Sequence, residues 1–199
     1  MPIPVASDLS CSGIGFLFLP IGSSARPSQL KDESHFYRRL FGRFATGVAV
    51  VLAEEGGDIR GLTVNSLTSA SLDPLLLLFC VHNNSRSGET IERVGRFTVN
   101  ILTADQENVA RHFAGHQNAD AAFTYIRKDG FVWLDHSNAA FLCDLEVAYP
   151  GGDHRIILGR VKNMAGPDEC EHLLVYHEGH YGNLQSKAIT DSPTEATQL

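Results

Sequence analysis

The sequence predicts a mainly β fold, an antiparallel β-barrel with peripheral helices. Three observations predict it. The central part of the 199-residue chain is a series of short apolar or alternating segments separated by turn residues, which is typical of antiparallel strands. Segments with helical spacing are few and do not alternate regularly with the strands. The chain also lacks GxGxxG and Walker motifs, which a doubly wound nucleotide-binding fold would carry.

Composition excludes several classes of protein. The formal net charge is -7, which argues against nucleic acid as a partner because phosphate binding requires a basic surface. No apolar segment reaches the roughly 20 residues of a membrane span. None of the four cysteines forms a CxxC pair, and their spacing predicts no zinc site; we expect a protein of the reducing cytoplasm. These cysteines are Cys11, Cys80, Cys143 and Cys170.

One domain is expected, over residues 34–184. Residues 1–33 form an N-terminal extension whose apolar part, Ser12 to Ile21, is preceded by no Lys or Arg. This excludes the usual signal peptide, and we interpret the segment as an arm that is flexible or docked on a partner subunit. Residues 185–199 are polar and without periodicity, and are expected to be a flexible tail.

The first half of the domain predicts two helices and three strands. Asp32-Glu33-Ser34 is a capping pattern for a short helix through Phe41. The remaining elements are a hairpin of Thr46 to Ala53 with Ile59 to Ser66 around a turn at Glu55 to Asp58, a strand covered on both faces at Leu75 to Val81, and a helix from Ser85 to Val94 stopped at Gly95.

The second half predicts a further helix and mostly strands. Thr103 to Gln106 is a capping-box pattern for a helix running to about Ala114 and stopped at Gly115. The strands are Arg96 to Leu102, Phe141 to Tyr149 with its antiparallel partner His154 to Asn163 across a Pro150-Gly151-Gly152 turn, and Leu173 to Tyr176.

Two polar stretches are candidates for ligand binding. Gly61 to Pro74 is dense in hydroxyls and amides, which suit the edge of a heteroaromatic ring or a phosphate; a loop that satisfies its own backbone is the alternative. Asn83 to Ser87 combines a helix start, hydroxyls and Arg86, which predicts an anion site or an ordinary N-cap beside a solvated arginine.

Two further stretches contain histidines. Gly151-Gly152-Asp153-His154 forms a turn at which His154 either contacts a nucleotide or closes the turn, and Tyr176 to Tyr181 follows the last predicted strand. His112 and His116 have the spacing of metal ligands on a helix. The sequence has no HExxH arrangement, however, and Gly115 is expected to end the helix first, so we predict no metal. No GxSxG elbow indicates nucleophilic catalysis.

In series, these motifs resemble one family. They are GRFATGV after Phe36, GLTVNSLTSASLDP from Gly61, LLFCVHNNSRS from Leu77, RFTVNIL from Arg96, GGDH with a following Gly159, and YHEGHYG from Tyr176. They are similar to those of the flavin reductases with an FMN-binding split-barrel fold, the small reductase components of two-component aromatic monooxygenases. The resemblance covers about Phe36 to Gly182.

The resemblance implies a split β-barrel, FMN or FAD with NADH or NADPH as cofactors, a homodimer and a partner monooxygenase. The flavin ring and its linker would be held by Gly61, Leu62, Thr63, Asn65 and Ser66. Its ribityl region would be lined by Cys80, Val81 and His82, its phosphate would contact Ser85, Arg86 and Ser87, and its far side would be closed by His112 and Phe113. The nicotinamide dinucleotide would meet Gly152, Asp153, His154, Tyr176, His177, Glu178 and Gly179.

The implied reaction is hydride transfer from nicotinamide C4 to flavin N5. His154 is the expected catalytic residue, which orients the nicotinamide or assists proton balance. Three alternatives remain open: an enzyme that keeps its flavin and reduces another acceptor such as a quinone, a metal chelate or a corrin; a flavin-binding module without turnover; and a pyridoxamine-phosphate-oxidase-like barrel, for which a basic cluster for a second phosphate is missing.

Overall fold

A computed structural model describes residues 27–116, 122–169 and 172–184, with only the backbone described for 27–32. The predicted arm at Ser12 to Ile21, the tail 185–199, and the cysteines Cys11 and Cys170 lie outside these residues. The predicted N-terminal extension therefore remains a prediction over most of its length.

Three helices and twelve strands lie within the described residues. The helices are α1 Pro27–Phe41, α2 Arg86–Val94 and α3 Glu107–Phe113. The strands are β1 Thr46–Gly47, β2 Ala49–Glu55, β3 Asp58–Val64, β4 Thr68–Leu72, β5 Leu75–His82, β6 Arg96–Ile101, β7 Tyr125–Lys128, β8 Phe131–Leu134, β9 Ala139–Gly151, β10 His154–Ala165, β11 Leu173–His177 and β12 His180–Leu184.

Helix α1 begins earlier than predicted. Asp32-Glu33-Ser34 lies inside the helix rather than at its start, because the helix already begins at Pro27. Proline is well suited to a first helical position, where its missing N–H is not needed. On the helix surface Tyr37 and Phe41 stack with ring centroids 5.5 Å apart.

Seven strands form one antiparallel sheet that curls into a split β-barrel. Their order is β3-β2-β6-β9-β10-β5-β4. The two edge strands, β3 and β4, follow each other along the chain with only residues 65–67 between them. Three residues cannot cross the width of a flat seven-stranded sheet, so the two edges must lie close together. The predicted mainly β barrel is confirmed.

The predicted helix ends of α2 and the start of α3 are confirmed. Ser85 caps α2, since its hydroxyl accepts a hydrogen bond from Gly88 N at 3.2 Å. Gly95 ends the helix with a φ of 71°, a conformation that favours glycine. The capping box at Thr103 is present as well, although the chain first makes a short 3-10 turn, Ala104–Gln106, before α3 begins.

Four strands were missed by the sequence analysis. β4 and β12 are short and polar, and β7 pairs with β8 in a separate two-stranded hairpin. β12 pairs with β11, which also pairs with β1 to form a three-stranded sheet. The prediction that Leu75 to Val81 is covered on both faces is wrong: along β5, buried and half-buried residues alternate, as in a strand with one face toward a barrel interior.

The barrel core is closely packed around Phe79 and Phe97. Their rings meet edge to face with centroids 5.4 Å apart, and both side chains are buried. Gly159 on β10 makes this packing possible, because a Cβ at Gly159 would lie 2.4 Å from Phe97 Cζ. The apolar residues around this pair form the larger of the two buried clusters.

A buried amide joins the barrel to the β7–β8 hairpin. Asn100 on β6 is fully buried; its Nδ2 donates to Val50 O at 2.9 Å, and its Oδ1 accepts from Leu134 N at 2.8 Å. Thr98, two residues earlier, donates to Val132 O at 2.6 Å. The bonds to Val132 O and Leu134 N satisfy backbone groups of β8, and the bond to Val50 O joins the same amide to β2. The hairpin is thereby fixed against the barrel wall.

We expect Gly159→Ala to destabilise the protein by about 1–3 kcal/mol, because the added methyl would overpack the Phe97 ring. The matched control is Gly47→Ala in β1, where a Cβ would meet nothing within 4 Å. Urea unfolding of both variants against the parent protein measures the difference. Equal free energies of unfolding for the two variants would show that the contact with Phe97 does not constrain position 159.

Candidate functional site

Strand β3 is held between two helices by side-chain hydrogen bonds. The Ser87 hydroxyl, at the start of α2, donates to the Gly61 carbonyl at 2.7 Å. The Thr63 hydroxyl donates to the Ala110 carbonyl of α3 at 2.6 Å. Two of the hydroxyls predicted to hold a cofactor are therefore engaged in fixing the position of β3 relative to α2 and α3.

The glycine at position 61 allows an aromatic ring to lie on the backbone of β3. A Cβ there would lie 2.4 Å from Phe113 Cδ1 and 2.5 Å from Phe113 Cε1. His112 and Phe113 are in edge contact with ring centroids 5.0 Å apart, and each ring also lies 5.3 Å from Phe123. The structure thus brings Phe113 directly against the start of the polar stretch, where the resemblance had it close the far side of the flavin.

The end of β3 is joined to β5. The Ser66 hydroxyl accepts a hydrogen bond from Cys80 N at 2.9 Å. The Asn65 side chain is exposed and makes no hydrogen bond with the residues that the structure describes. Leu62 packs against the barrel core, so between Gly61 and Ser66 Asn65 is the polar side chain that makes no hydrogen bond with a described residue.

Strand β5 divides its three predicted site residues between two faces. Cys80 and His82 share the outer face, whereas the Val81 side chain is buried in the barrel core. Only the backbone of Val81 is therefore available to a ligand. Burial also distinguishes the two described cysteines, since it raises the pKa of the inward-facing Cys143 to about 12 and leaves that thiol inert.

The start of α2 presents an uncompensated cation. Arg86 is exposed and has no hydrogen bond or ion pair with any described residue. The helix it begins has nine residues and an N-cap at Ser85. The backbone N–H groups of such a helix start and a free guanidinium both favour an anion. Because Ser87 is bonded to Gly61, this helix start and the polar stretch of β3 lie on one continuous surface.

The GGDH motif forms the predicted turn and lies against the same surface. β9 and β10 are joined by a two-residue turn, Gly152-Asp153, and Gly152 has a φ of 75°. Asn83 holds this turn twice: its N donates to Asp153 O at 3.0 Å, and its Nδ2 donates to Gly152 O at 3.0 Å. Two motifs about 70 residues apart in sequence are thereby brought together.

His154 lies within this contact. Its Nδ1 is 2.7 Å from Asp153 Oδ1, and its ring lies edge-on to that of His82 with centroids 5.3 Å apart. The hydrogen bond from His154, and the charge it can carry, hold the pKa of the Asp153 carboxyl below its usual value. Asp153 is exposed, so water screens this interaction.

Arg155 is a positioning residue that the sequence analysis missed. Its guanidinium forms an ion pair with Glu92 of α2 and lies 3.4 Å from the Asn83 carbonyl. Gly88 lets the helix approach closely, since a Cβ there would lie 2.9 Å from both Val81 Cγ2 and Arg155 Nη2. The sequence carries no signal for this role, because Arg155 and Glu92 are 63 residues apart.

The second predicted nicotinamide segment lies beside α3. Glu178 and Gly179, with φ values of 48° and 83°, form the turn between β11 and β12, and the rings of Tyr176 and Tyr181 lie 5.2 Å apart. Arg111 of α3 lies 4.9 Å from the centroid of Tyr181. No hydrogen bond or ring contact of the described residues joins Tyr176, His177, Glu178 or Gly179 to the Gly152–His154 turn.

Metal ligands do not cluster within the described parts of the chain, where no three or more His, Cys, Asp or Glu side chains lie close enough to hold a metal ion. α3 ends at Phe113, and Gly115 has a φ of 90°, so His112 and His116 do not share a helix face. None of the described helices is both long and apolar enough to cross a membrane.

Two cavities lie away from these residues. One, of about 340 Å³, is lined by the segment from Trp133 to Asn138 and by the end of β10. The other, of about 390 Å³, is an apolar hollow formed by residues of β4, β5 and β10, among them the core residue Leu77. Neither is lined by a predicted site residue, and among the predicted site residues Asn65, His82 and Arg86 are exposed.

Comparison with known proteins identifies flavin reductases as relatives of this chain. The model of the flavin reductase like domain matches residues 41–185. An NADH-dependent FMN reductase from Streptomyces nodosus subsp. asukaensis is 36% identical over 155 residues, covering 75% of this chain and 84% of that protein. The reductase component of 4-hydroxyphenylacetate 3-monooxygenase from Thermus thermophilus is 35% identical over 144 residues, covering 72% of this chain and 93% of that protein.

Solved structures show the same architecture. The NADH:FAD oxidoreductase SgcE6 of Streptomyces globisporus C-1027, in complex with NAD and FAD fragments, superposes with a TM-score of 0.71 at 33% identity, covering 79% of this chain and 96% of that one. The matched region of the family model contains the whole surface built by β3, β5, α2, α3 and the β9–β10 turn. The chain therefore belongs to the flavin reductase like domain family.

Proposed function

We propose that this chain is an NAD(P)H:flavin oxidoreductase that supplies reduced FMN or FAD to a partner monooxygenase. The observation that carries the proposal is the joining of three motifs on one surface. The Ser87–Gly61 and Asn83–Asp153 hydrogen bonds hold the hydroxyl-rich strand, the helix start at Arg86 and the turn at His154 together. Relatives named as NADH-dependent flavin reductases support the same activity.

The free polar groups on this surface fit a flavin. Arg86 and the N–H groups at the start of α2 suit its phosphate. Asn65 offers both a donor and an acceptor to the edge of its ring, and the Gly61 backbone lies nearby beneath Phe113. The groups that remain unpaired are therefore of the chemical kinds that a flavin nucleotide requires.

The chemistry belongs to the bound groups: a hydride passes from nicotinamide C4 to flavin N5. The residues of this chain bind and orient. His154 is fixed by Asp153 at 2.7 Å and lies on the same surface as Arg86, so it is placed to orient the nicotinamide beside the flavin. A covalent nucleophile is not needed, since correct stacking of two rings supplies the reaction geometry.

The relatives support NADH more directly than NADPH, since an FMN-reducing relative and a FAD-reducing relative are both NADH-dependent. Both FMN and FAD remain within the proposal, because one of these relatives reduces FMN and the other reduces FAD. The cytoplasm is the proposed compartment, and both described cysteines are free thiols, as a reducing compartment favours.

We also propose that the chain is a homodimer joined through the apolar hollow on β4, β5 and β10. Leu72 is 77% exposed and Met164 58% exposed at this hollow. Its lining is almost wholly aliphatic or aromatic, with Ser69 and Ser71 as the polar members. A surface of this composition is typical of an interface between copies of one chain.

We expect purified protein to oxidise NADH only when flavin is added, and to oxidise it with FMN, FAD or both. The reason is that an open binding surface exchanges its flavin instead of retaining it. Absorbance at 340 nm measures the rate with FMN, FAD and riboflavin in turn. Tightly retained flavin that passes electrons to another acceptor would favour the flavoprotein alternative. Flavin binding without NADH oxidation would favour a binding module.

We expect Arg86→Gln to raise the KM for FMN about tenfold, because one charge-assisted contact with the phosphate is lost. The KM for riboflavin, which has no phosphate, should change less than twofold. Arg60→Gln on β3 is the matched control, since Arg60 is already paired with Asp58 at 2.6 Å. Equal increases for FMN and riboflavin would place Arg86 away from the phosphate.

We expect Leu72→Asp to convert a dimer of the 21.7 kDa chain into a monomer, because a carboxylate in an apolar interface is desolvated without a partner. Ile126→Asp is the control; Ile126 is also exposed but lies on β7, outside the hollow. Sedimentation velocity at micromolar concentration measures both. A parent protein that is monomeric, or a Leu72→Asp variant that stays dimeric, would contradict this interface.

A further inference from the structure

Two histidines face each other beside the Gly152–Asp153 turn, which belongs to the predicted nicotinamide site. His82 on β5 and His154 on β10 are directly opposite in the antiparallel register. Opposed residues of antiparallel strands place their side chains on the same face of the sheet. The His154 side chain is 42% exposed and His82 is exposed, so a ligand can reach both rings.

The hydrogen bonds at the two Nδ1 atoms differ in direction. His82 Nδ1 lies 3.2 Å from Asn84 N, a backbone donor, and therefore accepts. His154 Nδ1 lies 2.7 Å from Asp153 Oδ1. An ionised carboxylate can only accept, so at this distance His154 Nδ1 donates to Asp153 Oδ1.

These bonds set the two rings in opposite tautomers. A neutral imidazole has one N–H and one lone pair, and the partner of one nitrogen determines the state of the other. His82 therefore carries its proton on Nε2, and its Nε2 is a donor. His154 carries its proton on Nδ1, and its Nε2 is an acceptor, as in other carboxylate–histidine pairs.

A neighbouring donor and acceptor complement a primary carboxamide. The oxygen of that group accepts, and its NH2 group donates. Nicotinamide has such a group on the ring carbon next to C4, the atom that gives up the hydride. A pair of groups that holds the carboxamide therefore also fixes the ring and the position of its C4.

We propose that His82 and His154 recognise the carboxamide of nicotinamide as a pair, with His82 Nε2 donating to its oxygen and His154 Nε2 accepting from its NH2 group. Asp153 and the Asn84 N–H are positioning groups that hold the tautomers. The inference rests on the proposed function and deepens it, since it assigns a binding role to His82 and explains why a carboxylate precedes His154.

The tautomers are tested without any cofactor. In protein with 15N-labelled histidine, we expect long-range 1H–15N spectra at pH 8.5 to show His82 protonated at Nε2 and His154 at Nδ1. At that pH a free imidazole in water is neutral. Asp153→Ala should let the proton of His154 move to Nε2. The same tautomer for both rings in the parent protein would overturn the inference.

Recognition is tested by direct binding of two oxidised dinucleotides, NAD and its 3-acetylpyridine analogue, in which a methyl ketone replaces the carboxamide. The ketone retains the acceptor oxygen and lacks the NH2 donor. We expect the parent protein to bind NAD about five- to tenfold more tightly, the value of one neutral hydrogen bond. Calorimetric titration at pH 8.5 measures both affinities.

Two variants separate the two contacts. Asp153→Ala should lower the affinity for NAD about five- to tenfold and change the affinity for the ketone analogue less than twofold. His82→Phe should weaken both ligands by a similar factor, because both retain the carbonyl oxygen. His172→Phe, an exposed histidine outside this surface, is the control and should change neither affinity. Equal losses of both ligands in Asp153→Ala would indicate a general structural role and overturn the pairing.

The outcomes distinguish the failure of this inference from the failure of the proposed NAD(P)H:flavin oxidoreductase activity. If the parent protein oxidises NADH with added flavin but its variants show no selective loss of NAD affinity, the proposed function stands and the carboxamide pair is rejected. If the parent protein neither binds NAD nor oxidises NADH, both the proposed function and the carboxamide pair are rejected. Thermal unfolding of each variant checks that the affinities come from folded protein.

Discussion

The structure depends on how one sheet closes. β3 and β4 are the two edges of the seven-stranded sheet, yet only residues 65–67 separate them along the chain. The sheet must curl until its edges meet, and the bond between the Ser66 hydroxyl and Cys80 N at 2.9 Å joins the end of β3 to β5 at that point.

Closure explains why polar residues are dense in one stretch and yet serve two purposes. The hydroxyls of Thr63, Ser66 and Ser87 bond to backbone atoms of α3, β5 and β3 respectively. These bonds fix the positions of α2, α3 and β5 relative to β3. Asn65 and Arg86 remain unpaired among the described residues and are left for a ligand. A run of hydroxyls in the sequence therefore marks a joint of the barrel, and it borders the surface that we propose for the flavin.

The sequence predicted best what is determined locally. The β2–β3 hairpin, the caps of α2 and the β9–β10 turn depend on residues a few positions apart, and all are present. β4 and β12 were missed because they are short and polar, and are held by neighbours such as β5 and β11 rather than by their own propensity. The ion pair of Arg155 with Glu92 joins residues too distant in sequence for any pattern to reveal.

The openness of the surface is itself informative about how the protein works. A resident prosthetic group is usually enclosed, because burial of a large ring system provides much of its affinity. Here the two cavities described above are lined by other residues, and the side chains of Asn65, Arg86 and His82 are exposed. Such a surface binds through a few directed polar contacts and releases its ligand readily. Release is what a reductase needs when its reduced flavin must be used by another protein, so the shallow site and the proposed transfer follow from the same geometry.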